Sequence, residues 1–182
     1  MQLQYHKYSI DVKPASSEKS EYNMVISEDV YFMPSTSIDI TVSNDGNSVS
    51  RILVEGFAGA TGIYDDNILI DDSYLLLCVS DCVYRLRLPN LELDWKRKCD
   101  VATCFTISKF KEDYLIHGEL QIVRLSKQGD IKWVFSARDI FVLPNRESQL
   151  LIDNDVISIK DWQGYIYYLD ENGKVLKEDY VG

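Results

Sequence analysis

From Asn67 onward the sequence repeats, and that periodicity limits what the chain can fold into more than any other feature. DDSYLLLCVSDCVYRLRLPNLELDWKRK from Asp71, KEDYLIHGELQIVRLSKQGDIKWVF from Lys111 and DNDVISIKDWQGYIYYLDENGKVLKED from Asp153 share one plan. Each has an acidic turn, an apolar strand, a short turn, a strand ending in Leu, a polar turn and a last strand, which carries Trp in the first two copies. The marker residues Leu86, Leu125 and Leu169 lie 39 and 44 residues apart. A period of this size is typical of units that cannot bury their apolar face alone and must stack on neighbours. NILID, CFTISKF and SQLLID add a strand at the start of each unit, making four strands per copy.

Side-chain alternation supports the alignment. In the third strand of each copy, Tyr84, Leu86 and Leu88, then Val123 and Leu125, then Tyr165, Tyr167 and Leu169 fall on one face, because successive strand residues point to opposite sides. The opposite face holds Arg85 and Arg87, then Arg124, then Ile166 and Tyr168, so it is expected to be wetter in the first two copies. No long segment has the 3.6-residue period of an amphipathic helix. VATCFTISKF is β-branched and sits in the repeat as a strand.

At these residues the chain resembles the blades of quinoprotein-like and WD40-like β-propellers, whose second and third strands often read GxVYALDxxGKxLW. GYIYYLDENGKVLK (Gly164 to Lys177), LQIVRLSKQGDIKW (ending at Trp133) and CVYRLRLPNLELDW (ending at Trp95) are similar to it, with Lys177 standing in the third copy where the others have Trp. The resemblance covers about the last 115 residues and implies all-β, propeller-like four-stranded repeats at about 67–105, 106–143 and 144–182. Three such units are too few to close the ring of the long quinoprotein enzymes, and no cofactor ligand of that family has a matching residue here. Either residues 1–62 supply a divergent fourth unit, or the repeats form an open or incomplete propeller. The second is favoured, with the N-terminal strands capping an edge that would otherwise invite aggregation.

Residues 1–62 read as a β-strand annex packed on the repeats. Tyr5 to Val12 and Tyr22 to Ile26 are strand-like. SIDITV (Ser37 to Val42) and Val49 to Val54 flank SNDGNS, whose Asn44, Asp45 and Gly46 suit a hairpin turn with positive φ. GFAGATG spaces Gly56, Gly59 and Gly62 three apart, but it lacks both the strand-to-helix setting of a dinucleotide loop and the Lys-Ser/Thr of a phosphate loop. It is expected to be a flexible crossing into the repeats.

Charge and composition narrow the functional classes. Lys and Arg number 19 against 29 Asp and Glu, a net charge of −10, which disfavours phosphate backbones and anionic membranes. MQLQYHKYSIDVKP has no apolar signal-peptide core, so a cytoplasmic location is expected, with Cys78, Cys82, Cys99 and Cys104 reduced. Their C-x3-C and C-x4-C spacings are longer than those of structural zinc knuckles, so no metal is expected. The two histidines, His6 and His117, read as a frayed strand residue and a turn residue, and no nucleophile–base pair is legible.

The acidic clusters precede matching strands, so Asp71, Asp72, Asp113, Asp153 and Asp155 are expected to share one rim. Trp162, which interrupts the otherwise polar turn in KDWQGY, reads either as the candidate aromatic anchor of an interface or as a rim aromatic covering the last unit. These features point to a binding protein without catalysis or cofactor, whose partner is another, basic protein. A bacterial immunity-type antagonist of a basic toxin is the concrete form. The alternative is a quinoprotein-like protein that binds or transforms a small ligand where the repeats converge.

Overall fold

The computed structural model describes residues 1–16, 18–28, 31–142 and 150–181. Its strands form four separate sheets, none closed into a barrel. β1 (Gln2–Tyr5), β2 (Tyr8–Pro14), β3 (Met24–Ile26), β4 (Thr36–Asn44) and β5 (Asn47–Gly56) form an N-terminal sheet in the order β1-β2-β4-β5-β3. In that sheet β3 runs parallel to β5, and the other pairs are antiparallel. This sheet has one strand more than the sequence suggested. The stretch taken as a single strand from Tyr5 to Val12 is broken by a hairpin turn at His6, whose φ of 50° reverses the chain. The β4–β5 turn is as expected, with Asp45 and Gly46 both at positive φ, the geometry that matches strand twist in a tight hairpin.

Each repeat is an antiparallel meander. The first comprises β6 (Ile68–Asp71), β7 (Tyr74–Val79), β8 (Cys82–Arg87) and β9 (Glu92–Lys98), and the second β10 (Cys104–Phe110), β11 (Asp113–Gly118), β12 (Ile122–Leu125) and β13 (Ile131–Phe135). The third holds β14 (Leu151–Asp153), β15 (Val156–Lys160), β16 (Tyr165–Leu169) and β17 (Val175–Tyr180). The expected boundary between the second and third repeats, at 143/144, lies outside the described residues.

The sheets stack in sequence order, and three apolar clusters fill the spaces between neighbours. Ile10, Val12, Ile40 and Ile52 of the N-terminal sheet meet Leu75, Leu77, Tyr84 and Leu86 of the first repeat. Leu76, Cys78 and Val83 on that repeat's other face meet Tyr114, Ile116, Val123 and Leu125 of the second. Leu115 and Ile122 then meet Ile157, Ile159, Tyr167 and Leu169 of the third. Leu86, Leu125 and Leu169 are all fully buried, each burial worth about 2 kcal/mol. The repeat period therefore marks the side chain that each sheet turns toward the sheet before it.

Candidate partner-binding site

In an up-and-down meander the first and third turns lie at one end of the sheet and the second turn at the other. The first turns of the three repeats, at Asp72–Ser73, Lys111–Glu112 and Asn154–Asp155, come together at one end of the array. Lys111 contacts Asp155 at 3.2 Å and also pairs with Glu171 in the third turn of the last repeat. Asp72 and Asp155 both have positive φ, at 52° and 67°, a conformation Asp and Asn tolerate well.

The five acids expected on this rim are not equivalent. Asp72, Asp153 and Asp155 are exposed, but Asp71 and Asp113 are only 2% and 4% exposed. Asp71 accepts a hydrogen bond from the Tyr114 hydroxyl of the next sheet at 2.8 Å and pairs with Lys109 and Lys127. Burial pushes its carboxyl up, but these partners outweigh that and hold it down at about 2. Asp113 accepts from Arg124 Nε and Lys132 Nζ, both at 2.7 Å. Burial again opposes the charge, and the two cations hold the carboxyl below its usual range. Turn-forming acids and joint-forming acids look alike in sequence, and only the packing separates them. Trp162 is exposed, but it sits in the second turn of the third repeat, at the opposite end of the sheet from Asp153 and Asp155. Its backbone N–H donates to the Ile140 carbonyl at 2.7 Å. It therefore does not join the acidic rim.

Of the expected wet face of the first two repeats, Arg87 is exposed, but Arg85 and Arg124 are enclosed in joints between sheets. In the first repeat Arg85 and Trp95 face each other across β8 and β9. Arg85 Nη1 at 2.9 Å and Trp95 Nε1 at 3.0 Å both donate to the Lys127 carbonyl in the next sheet's third turn. The second repeat does the same: Arg124 Nη1 at 2.6 Å and Trp133 Nε1 at 2.9 Å converge on the Glu171 carbonyl. The turn glycines Gly129 and Gly173 lie flat on the two indoles at φ 83° and 76°, and a Cβ there would come within 2.8 Å and 2.6 Å of the ring. The sequence held this signal, since each Trp is followed one repeat later by a turn Gly.

Around the second joint, Arg124, Lys132, Trp133, Glu171 and Asn172 line a shallow groove of about 360 Å³ that opens beside the rim. None of these residues was singled out in the sequence as a site.

The remaining candidates are structural. Cys78, Cys99 and Cys104 pack between the first two repeats, and Cys82 packs toward the N-terminal sheet. All four are free, and burial pushes Cys82 and Cys99 up to about 12 and the other two well above the usual thiol range. No group of His, Cys, Asp or Glu suited to a metal ion occurs among the described residues. His117 is not a turn residue: it lies in β11, 5% exposed, edge-on to Phe105 and Phe141. GFAGATG is a packed crossing, with the Ala58 N–H on Ser80 Oγ and the Gly59 N–H on the Ala102 carbonyl.

No family model matches the sequence, and no curated protein matches it. Among solved structures the chain is similar to the computationally designed Ika8 protein, at 8% identity with a TM-score of 0.53 over 81% of this chain and 47% of that one. It is also similar to the WD40 domain of Neurospora crassa Pan2, at 14% identity with a TM-score of 0.50 over 68% of this chain and 39% of that domain. The chain thus spans less than half the length of either. At such identities the likeness is one of fold, and the class it defines is an open stack of WD40-like antiparallel sheets. No helix is long and apolar enough to cross a membrane among the described residues.

Proposed function

We propose that the protein is a non-catalytic binding protein that docks a basic protein partner on the rim formed by Asp72, Asp153 and Asp155. One observation carries this reading. Arg85, Arg124, Asp71 and Asp113 are enclosed and engaged in joining sheets or bracing their strands, whereas these three acids stand exposed at or beside the first turns of the first and third repeats. The pairing of Asp72 with Lys127 and of Asp155 with Lys111 is of the surface kind, worth little and readily exchanged for a partner's cation. An immunity-type inhibitor that occludes a basic toxin is the concrete form of this reading, since an acidic rim steers and holds a cationic surface.

The test compares the full chain with the triple variant Asp72→Asn, Asp153→Asn, Asp155→Asn as immobilised baits for native lysate, followed by affinity measurement on whatever is retained. Support is a basic protein released by raised salt, whose affinity drops at least about tenfold in the triple variant. A partner bound equally by both baits, or bound independently of salt, refutes the rim.

A further inference from the structure

The third repeat turns toward solvent the face that the first two repeats bury. In β15 the inward residues are Ile157 and Ile159, so Ser158 and Lys160 face outward, and their cross-strand partners Tyr168 and Ile166 face outward with them. The rows continue onto β17 as Ser158–Tyr168–Lys177 and Lys160–Ile166–Asp179. In the second repeat the corresponding rows are Leu115–Arg124–Trp133 and His117–Ile122–Phe135, with Leu115 and Ile122 at 1% and 0% exposure beneath the third sheet. Ile166 and Tyr168 are only partly covered, and Leu151, on the same face through its pairing with Ser158, is 64% exposed. The donor pair that anchors a following sheet is also replaced, Arg by Tyr168 and Trp by Lys177. The face is therefore not built to receive another third-turn carbonyl.

We propose that this outward face is the contact surface of a homodimer in which two copies pack third repeat against third repeat about a two-fold axis. The surface complements itself. A two-fold axis lying in the interface and crossing the strands between the two rows exchanges one row for the other. Ile166 of one copy then lies on Tyr168 of the other, Asp179 meets Lys177, and Lys160 meets Ser158. Each contact forms twice, as isologous symmetry requires, giving an apolar centre with opposite charges facing each other on the β17 side and Lys160 against Ser158 on the β15 side. Within a copy Lys177 and Asp179 are 2.5 Å apart, and the dimer turns these two pairs into a four-charge cluster.

The other end of the stack does not offer a head-to-tail alternative. The outer face of the N-terminal sheet is closed by its own polar network. Arg51 pairs with fully buried Asp39 at 2.6 Å, Tyr22 donates to Asp39, and Lys19 pairs with Glu55 at 2.8 Å. Continuation of the stack there would desolvate those charges without replacing their partners. The two-fold arrangement also closes, whereas a head-to-tail one would propagate.

Sedimentation velocity of the full chain from about 1 to about 100 µM tests the proposal, since dimer stability is tied to concentration. A monomer–dimer equilibrium is expected. Ile166→Lys, at a partly exposed position that leaves the monomer folded, should raise the dissociation constant at least about a hundredfold. Lys177→Asp should raise it about tenfold by setting like charges together, and Lys177→Asp with Asp179→Lys should restore it to within about threefold. A monomer throughout the range, a dimer indifferent to Ile166→Lys, or oligomers that keep growing with concentration would each overturn it. The substituted residues Ile166, Lys177 and Asp179 lie outside the Asp72–Asp153–Asp155 rim, but Asp153, paired with Val156, shares the outward face with Leu151 and Ser158; because the dimer is measured on the purified chain without a partner, either proposal can fail without the other.

Discussion

Replacing His117 with Leu should remove most of the protein's loss of stability between pH 8 and pH 5. His117 sits in β11 between Phe105 and Phe141, and both ring nitrogens are buried without a hydrogen-bond partner. Burial penalises the imidazolium and takes its pKa down from 6.5 to about 4; the nearby Phe141 backbone offsets part of this without making a hydrogen bond of good geometry. A histidine depressed in the folded state binds its proton more readily when unfolded. Its contribution is thus fully present above pH 6.5, falls as the pH drops, and is exhausted below about 4. For a shift of this size the loss between pH 8 and pH 5 is about 2 kcal/mol. Urea unfolding at a series of pH values measures it, with the carboxylates supplying a background common to both proteins. Because neutral His117 already buries two unpaired nitrogens, Leu is also expected to equal or exceed the wild type at pH 8. The ring's NMR titration gives an independent midpoint, expected near 4. Equal pH slopes for wild type and His117→Leu, or a ring that titrates near 6.5, would refute the reasoning.

Two further outcomes follow from the joints and the cores. Gly173→Ala should destabilise by about 2 kcal/mol or more, since it combines a disfavoured φ with a methyl driven into the Trp133 indole. Gly46→Ala, at a similar φ of 80° but facing open space, should cost only the backbone strain of about 1 kcal/mol; equal denaturation midpoints for the two variants would remove the indole contact from the account. The four thiols, held protonated and out of solvent, should react with an aromatic disulfide reagent only as fast as the protein unfolds. A fast-reacting thiol in native buffer would contradict the packing described.

The β-class, the repeat and its phase were legible because they rest on local signals: alternation, turn residues and a buried Leu at a fixed place in each unit. The N-terminal hairpin at Asp45–Gly46 was legible for the same reason. The candidate site was less so, because its residues were sorted by long-range packing. Arg85 and Arg124 alternate with apolar neighbours as solvent-facing residues do, yet a carbonyl 42 or 47 residues further along makes each position internal. Asp71 is distinguished from Asp72 by Lys109 and Tyr114 of the next sheet. That Trp162 lies away from the acids was deducible, since first and second turns of a meander sit at opposite ends, but it required counting turns rather than scanning for exposed aromatics.

The contrast between the joints and the outward face of the third repeat indicates what the charged residues contribute. Burying an arginine beside an indole is poor economy if stability is the only aim, since a packed apolar pair often does as well or better. What Arg85 with Trp95 and Arg124 with Trp133 supply is register. Two donors on one sheet converge on one carbonyl of the next, and a glycine turn lets that backbone lie against the ring. A slip by one residue would lose both hydrogen bonds and strand a guanidinium. The counterions differ, Asp94 on β9 at the first joint and Asp113 on β11 at the second, while the donor pair and its carbonyl stay the same. The repeats therefore share the part that fixes alignment and vary the part that only balances charge. In the third repeat the reverse holds: charge is kept on β17 as Lys177 and Asp179, and the aligning donors are gone. A surface with charges and apolar side chains but no fixed carbonyl to grip suits a separable contact better than a permanent layer of the stack.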